Sequence, residues 1–103
     1  MNSPGTRVSA VGIGWYKRAD YPRILEVMDD RQVLPETFDK WQRKAENLER
    51  DVKAKGMIVI RAHIDPEEFV AWCAARSLNI DAAARMRWGN EAAHRKASGQ
   101  SRH

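Results

Sequence analysis

Two stretches of the chain alternate and four repeat at helical spacing. Val11, Ile13 and Trp15 fall on one side of the segment Arg7 to Trp15, while Gly12 and Gly14 thin the other side. That period of two predicts a strand, and its glycines predict a neighbour packed closely against it. Met57 to Ile64 alternates in the same way and is rich in β-branched residues. It predicts a second strand, with Ile58, Ile60, Ala62 and Ile64 on one face and Met57, Val59, Arg61 and His63 on a wetter one.

The intervening and following segments read as helices. Tyr21, Ile24, Leu25 and Met28 recur at i, i+3, i+4 and i+7, with Asp20 as N-cap and Pro22 in the first turn, so a short helix ends near Asp30. Leu34-Pro35 marks the connection 31–36 as non-helical. Thr37 caps the strongest helix, Phe38 to Lys55, whose apolar positions Phe38, Trp41, Ala45, Leu48 and Val52 precede a stop at Gly56. Its other face offers Asp39/Arg43, Glu46/Arg50, Glu49/Lys53 and Asp51/Lys55, acid-first pairs worth about 0.2 to 0.5 kcal/mol each. This is the pattern of a solvated face. Asp65-Pro66-Glu67-Glu68 opens a third helix with an Asp cap, Pro at the first position and Glu three residues after the cap, and Phe69, Trp72, Cys73 and Arg76 share one side. After a connection at Ser77 to Ile80, Asp81 caps a fourth, Ala-rich helix reaching about Lys96, with Met86 and Trp88 as its large apolar residues. Gly89 costs that helix about 1 kcal/mol relative to Ala, which predicts a frayed end.

The order β-α-α-β-α-α gives the fold class α+β, a small two-stranded sheet packed against about four helices in one domain at 7–96, between a flexible N-terminus at 1–6 and a flexible basic C-terminal tail at 97–103. Two strands alone make a marginal sheet. Either they pair with each other or the sheets of two copies join across a dimer, because an uncovered edge is a pairing surface.

Composition narrows the function classes. At 103 residues the chain has room for one domain. One cysteine allows no internal disulfide and no Cys-based zinc site, and it fits a reducing cytoplasm. No run approaches the roughly 18 apolar residues of a membrane span, and the first residues lack the pattern of a signal peptide. The expected location is cytoplasmic. Eighteen Lys+Arg against 14 Asp+Glu give a net charge of +4. Arg7 and the terminal Arg95, Lys96 and Arg102 carry that excess, which leaves the stretch from Trp15 to Ala93 neutral.

Candidate chemistry is sparse. Gly12-Ile13-Gly14 lacks the third glycine and the Gly-Lys-Ser/Thr ending of a phosphate loop, and no zincin, hydrolase or dithiol motif occurs. Arg61, His63 and Asp65 form the one arrangement suited to catalysis, with a strand histidine as general base beside an aspartate. The competing account makes Asp65 a helix cap and Arg61 and His63 an exposed strand face. Cys73 reads as a small buried apolar residue. Asp29, Asp30, Glu36 and Asp39 could attract a hard cation, yet they lack EF-hand spacing and are explained as helix-end acids. No metal, cofactor or small-molecule ligand is expected. Trp15, Tyr16, Lys17 and Arg18 juxtapose aromatics and cations as single-stranded nucleic-acid binders do, and the last two helices resemble a helix-turn-helix whose second helix carries Arg85 and Arg87.

The string Trp15-Tyr16, Asp20-Tyr21, Ile24-Leu25, Met28, Asp30-Arg31, Leu34-Pro35, Phe38 and Trp41, followed by Ile64-Asp65-Pro66, Phe69, Trp72-Cys73-Ala74-Ala75-Arg76 and Leu78, resembles a family of short bacterial proteins with no assigned function. The resemblance covers Gly14 to Ala93. It implies a bacterial cytosolic source and assigns no residue a role. Three expectations therefore stand. The leading one is a non-enzymatic module that binds a protein partner, including a second copy of itself. The alternatives are a nucleic-acid binder using Trp15 to Arg18 or the last helix, and an enzyme with His63 as base.

Overall fold

The structure, a computed structural model, describes residues 9–97. The first strand's Arg7 and Val8, the N-terminal segment 1–6 and positions 98–103 of the tail lie outside those residues. The element order is β1 (Ala10–Trp15), α1 (Tyr21–Val27), α2 (Phe38–Ala54), β2 (Ile58–His63), α3 (Pro66–Ala75) and α4 (Ala82–Ala97), with single 3₁₀ turns at Arg18–Asp20 and Arg31–Val33. This is the expected α+β order. The two strands pair with each other, in parallel, in a register that sets Gly12 beside Ile60 and Trp15 beside His63. Parallel strands need a crossover, and α1 and α2 supply it.

Helix boundaries follow local chemistry with three exceptions. The Thr37 side chain accepts from the Lys40 amide at 3.2 Å, Asp81 does the same for Ala84 at 3.2 Å, and Gly56 takes the left-handed φ of +87° that ends α2. Asp20 and Asp65 occupy cap positions, but neither side chain bonds the helix it precedes. The third exception is Gly89. A Cβ there would lie 2.5 Å from the Gly12 carbonyl oxygen, and a Cβ on Gly12 would collide with the Gly89 carbonyl. Gly89 is thus no fraying point. It is the seat on which α4 crosses the glycine face of β1, the close neighbour that Gly12 predicted.

The sheet is the middle of three layers. Trp41 of α2 meets Trp15 edge-on with ring centroids 5.2 Å apart, and Glu49 of α2 grips Arg61 of β2, so α2 lies over one face. On the other face α4 holds Gly12 through Gly89 and the His63 carbonyl through Trp88 Nε1 at 3.2 Å. Ile24, Ile64, Phe69 and Cys73 are fully buried and join the aromatic residues Trp15, Tyr16, Tyr21 and Trp41 in one core. At about 25 cal/mol per Å² of apolar surface, burial of these large rings favours closing the layers.

Candidate functional site

A parallel residue points its N–H and C=O to the same side of its strand. The carbonyls of Ser9 and Trp15 accept from the amides of Ile58 and Ile64 at 2.9 and 2.8 Å, so the odd-numbered residues of β1 face β2. Ala10, Gly12 and Gly14 must then aim their amide groups at the opposite, open edge. By the same geometry Val59, Arg61 and His63 face outward from β2. Among the described residues the sheet has two free edges, and each opens into a cleft.

The β1 cleft, about 340 Å³, has the edge of Val11 to Gly14 as its floor, Leu48 and Val52 of α2 as one wall and Ala82, Arg85 and Met86 of α4 as the other. It is almost wholly apolar. Leu48 and Met86 are 50% and 67% exposed, two of the four large hydrophobic residues left open to solvent among the described residues. The charge in its wall is neutralised, since Arg85 makes a bidentate pair with Asp30 at 2.8 and 2.9 Å. That hydrogen bonding holds the Asp30 carboxyl below the usual carboxylate range.

The β2 cleft, about 350 Å³, is different in kind. Ile60, Ala62 and Ala92 line its depth, the Trp88 ring closes one side, and His63, Arg95 and Lys96 stand around it. Arg61 also borders it, but its guanidinium is spent twice, bonding Glu49 at 2.8 and 2.9 Å and lying 4.0 Å over the Trp15 ring. Arg95 and Lys96 lie in the last turn of α4, as the expected helix end near Lys96 implies, so the charge they carry sits on the folded body.

Several sequence candidates take other places. Trp15 and Tyr16 are buried, and burial pushes the Tyr16 hydroxyl up to about 12, so their rings offer no stacking platform to a base. Lys17 is exposed beside them. Arg18 lies over Phe38 and pairs with Asp39 at 2.6 Å, while Arg87 pairs with Glu91 at 3.2 Å. Of the residues proposed for nucleic acid, Trp15 and Tyr16 thus lie in the core, Arg18, Arg85 and Arg87 in ion pairs, and Lys17 at the surface. His63 does reach a cleft, but the carboxylate near it is Asp20, at 3.9 Å, and Asp65 stands at the head of α3. Cys73 is fully buried and burial pushes its thiol up, the reverse of an activated nucleophile. Three of the four acids around the first connection are taken by the protein itself: Asp29 Oδ2 accepts from the Ile80 amide at 3.0 Å, Asp30 takes Arg85 and Asp39 takes Arg18. The sequence pattern of α2 offered Asp39 and Glu49 to partners one turn on, and both reach across to other elements instead.

No protein-family model matches the chain, and no curated protein or solved structure matches it either. No helix among the described residues is long and apolar enough to cross a membrane.

Proposed function

We propose that the protein is a non-enzymatic interaction module that pairs with a second copy of itself, β1 edge to β1 edge. The observation that carries this reading is the unguarded edge of β1. An edge strand that stays single is ordinarily protected by a charge, a proline or a covering element. Ala10–Trp15 contains neither a charge nor a proline, and its outward amides lie at the bottom of an apolar cleft.

A second copy suits that cleft better than an isolated peptide strand, for a reason of spacing. Strands pair about 4.8 Å apart, and each helix layer here spans both strands of its own copy, so equivalent helices of two paired copies stand about two strand widths apart, near 10 Å. Helices pack at about 8 to 10 Å. A lone peptide would satisfy the backbone of β1 but bring no helices to cover Leu48 and Met86. Antiparallel pairing about a two-fold axis sets Gly12 opposite itself and Ala10 opposite Gly14, and the result is a four-stranded sheet with two helices on each face. The outer face of α4 continues the contact, because Met86 also borders a shallow depression beside Ala83 and Asn90.

The non-enzymatic part of the reading draws on His63 and Cys73. An orienting hydrogen bond to a histidine needs about 2.6 to 3.2 Å, and Asp20 stands at 3.9 Å. The single cysteine and the family resemblance support a bacterial, cytoplasmic setting.

Sedimentation equilibrium of the full chain at micromolar concentrations tests self-association. A dimer is expected, and Leu48→Glu and Met86→Glu, both at exposed positions, should each shift it to monomer while leaving the circular dichroism spectrum intact. A strict monomer throughout, or a dimer indifferent to both substitutions, would overturn the proposal.

A further inference from the structure

The inner end of the β1 cleft holds a polar group that the protein itself does not use. Tyr16, one residue beyond β1, lines this cleft and is only 4% exposed. Its hydroxyl makes no hydrogen bond with any described residue, whereas the neighbouring Tyr21 hydroxyl donates to the Pro35 carbonyl at 2.7 Å. Among the described residues no side-chain nitrogen or oxygen that is sealed from solvent lacks a partner. The Tyr16 hydroxyl is therefore not sealed, and it opens into the cleft that its residue lines. Polar groups in such surroundings are satisfied by protein, by water or by a ligand, and here the protein offers nothing. We propose that this end of the cleft binds a small neutral aromatic molecule carrying one hydrogen-bonding oxygen, a phenol or an aryl alcohol, with that oxygen on the Tyr16 hydroxyl.

Three features select this class. Burial pushes the Tyr16 hydroxyl up to about 12, so at neutral pH it keeps its proton and can donate as well as accept. Arg85 is the one charged side chain among the described residues of the lining, and its bidentate pair with Asp30 at 2.8 and 2.9 Å leaves no net charge to hold an ion. A charged ligand would lose hydration there without gaining a partner. The remaining wall is apolar, and in Trp41 and the Met86 thioether it offers an aromatic ring two favourable neighbours. The cleft's volume of about 340 Å³ falls at the small end of ligand clefts, which run from roughly 300 to 1,000 Å³, and suits a single ring. Strand pairing between copies uses the outward amides of Ala10, Gly12 and Gly14, none of which this contact needs, so the site does not rest on self-association.

Titration of the full chain with 4-methylphenol, followed in amide-detected NMR spectra, tests the site, with toluene, which lacks the oxygen, and benzoate, which is charged, as comparisons. Saturable shifts centred on the Gly14, Tyr16 and Arg85 amides are expected, with a dissociation constant of about 1 mM for so small a ligand. Toluene and benzoate should bind at least about fivefold more weakly, the scale of one hydrogen bond. Tyr16→Phe deletes only the hydroxyl. It should cost 4-methylphenol about fivefold, should not weaken toluene, and should not lower the urea midpoint, because the hydroxyl has no partner in the protein to lose. No saturable shift in the wild-type chain, equal binding of toluene or benzoate, indifference of 4-methylphenol to Tyr16→Phe, or a lowered midpoint in that variant would each overturn the assignment. Sedimentation of the same samples reports self-association separately: a monomer that binds the phenol sinks the dimer and leaves this site standing, and a dimer that does not bind it does the reverse.

Discussion

The two edges of this small sheet manage the same exposed backbone in opposite ways. β2 reads Ile-Val-Ile-Arg-Ala-His, and its outward side is occupied by Arg61, by the Trp88 indole that caps the His63 carbonyl, and by the cations of the last turn of α4. An incoming strand would meet charge and an already satisfied acceptor. β1 reads Ala-Val-Gly-Ile-Gly-Trp, and its outward amides lie in a cleft walled by Leu48, Val52, Ala82 and Met86, with Arg85 in the wall already held by Asp30. Both edges carry an arginine–carboxylate pair, yet Arg85–Asp30 is largely shielded, with side chains 13% and 19% exposed, whereas Arg61 is half exposed. Identical chemistry should therefore be worth different amounts on the two sides. The lesson is that an edge is defined less by its strand than by what the flanking helices place beside it.

The comparison depends on α4 being held against the sheet, and the largest expected effect comes from prising it off. Gly12→Val puts a branched side chain where the Gly89 carbonyl already sits, and neither backbone can yield cheaply. A loss of about 3 kcal/mol or more is expected in urea denaturation, a large share of the roughly 5 to 15 kcal/mol typical of a domain. Gly89→Ala is the sharper variant. Helix propensity alone predicts a gain of about 1 kcal/mol. The 2.5 Å approach of the new Cβ to the Gly12 oxygen predicts a net loss. A stabilised Gly89→Ala protein would show that the helix does not seat on that glycine.

Next in size is Arg85→Met, which keeps the bulk of the β1-cleft wall and strands Asp30 without its partner. Charge-assisted bonds in a shielded site suggest a cost of about 2 kcal/mol at neutral pH. The pH dependence gives a second check. Asp30 is held below its unfolded value, so the pair's stabilisation is complete above the unfolded carboxylate pKa near 4 and is lost as pH falls through the lower folded value. Denaturation midpoints of the wild-type chain should therefore drop more steeply below about pH 4 than those of Arg85→Met. Parallel acid-side slopes would mean that the pair does not control Asp30.

Much of this architecture is legible in local pattern, and what is not legible has a common cause. The alternation of Val11, Ile13 and Trp15, the Thr37 cap and the Gly56 stop each act within a few residues, and each holds in the structure. Gly89 looks like a propensity defect because its partner, Gly12, is distant in sequence. Asp39 and Glu49 look like members of helical ion pairs, but those are worth only a few tenths of a kcal/mol and yield to arginines arriving from Arg18 and β2. Trp15 and Tyr16 look like an exposed aromatic-basic motif until Trp41 and Tyr21 fold over them. Of the β2 cleft, the sequence shows only Arg61 and His63 on one strand face. The cleft exists because α4 continues beyond Gly89 and brings Arg95 and Lys96 alongside the strand.

The smallest effect is expected at Arg61, and it measures the contrast between the two ion pairs directly. Arg61→Leu retains an apolar stem to lie against Trp15 and deletes the charge that holds Glu49 below the usual carboxylate range. With the arginine half exposed, the pair and the ring contact together should contribute about 1 kcal/mol or less once solvent screening is allowed for. Half-molar salt should erase most of that difference, because screening acts on exposed charges within a few ångströms of water. The Arg85 variant should keep its deficit in the same salt. If Arg61→Leu instead costs as much as Arg85→Met and resists salt equally, the two ion pairs are electrostatically alike, and the protection ascribed to β2 would have to come from the Trp88 cap and the last turn of α4.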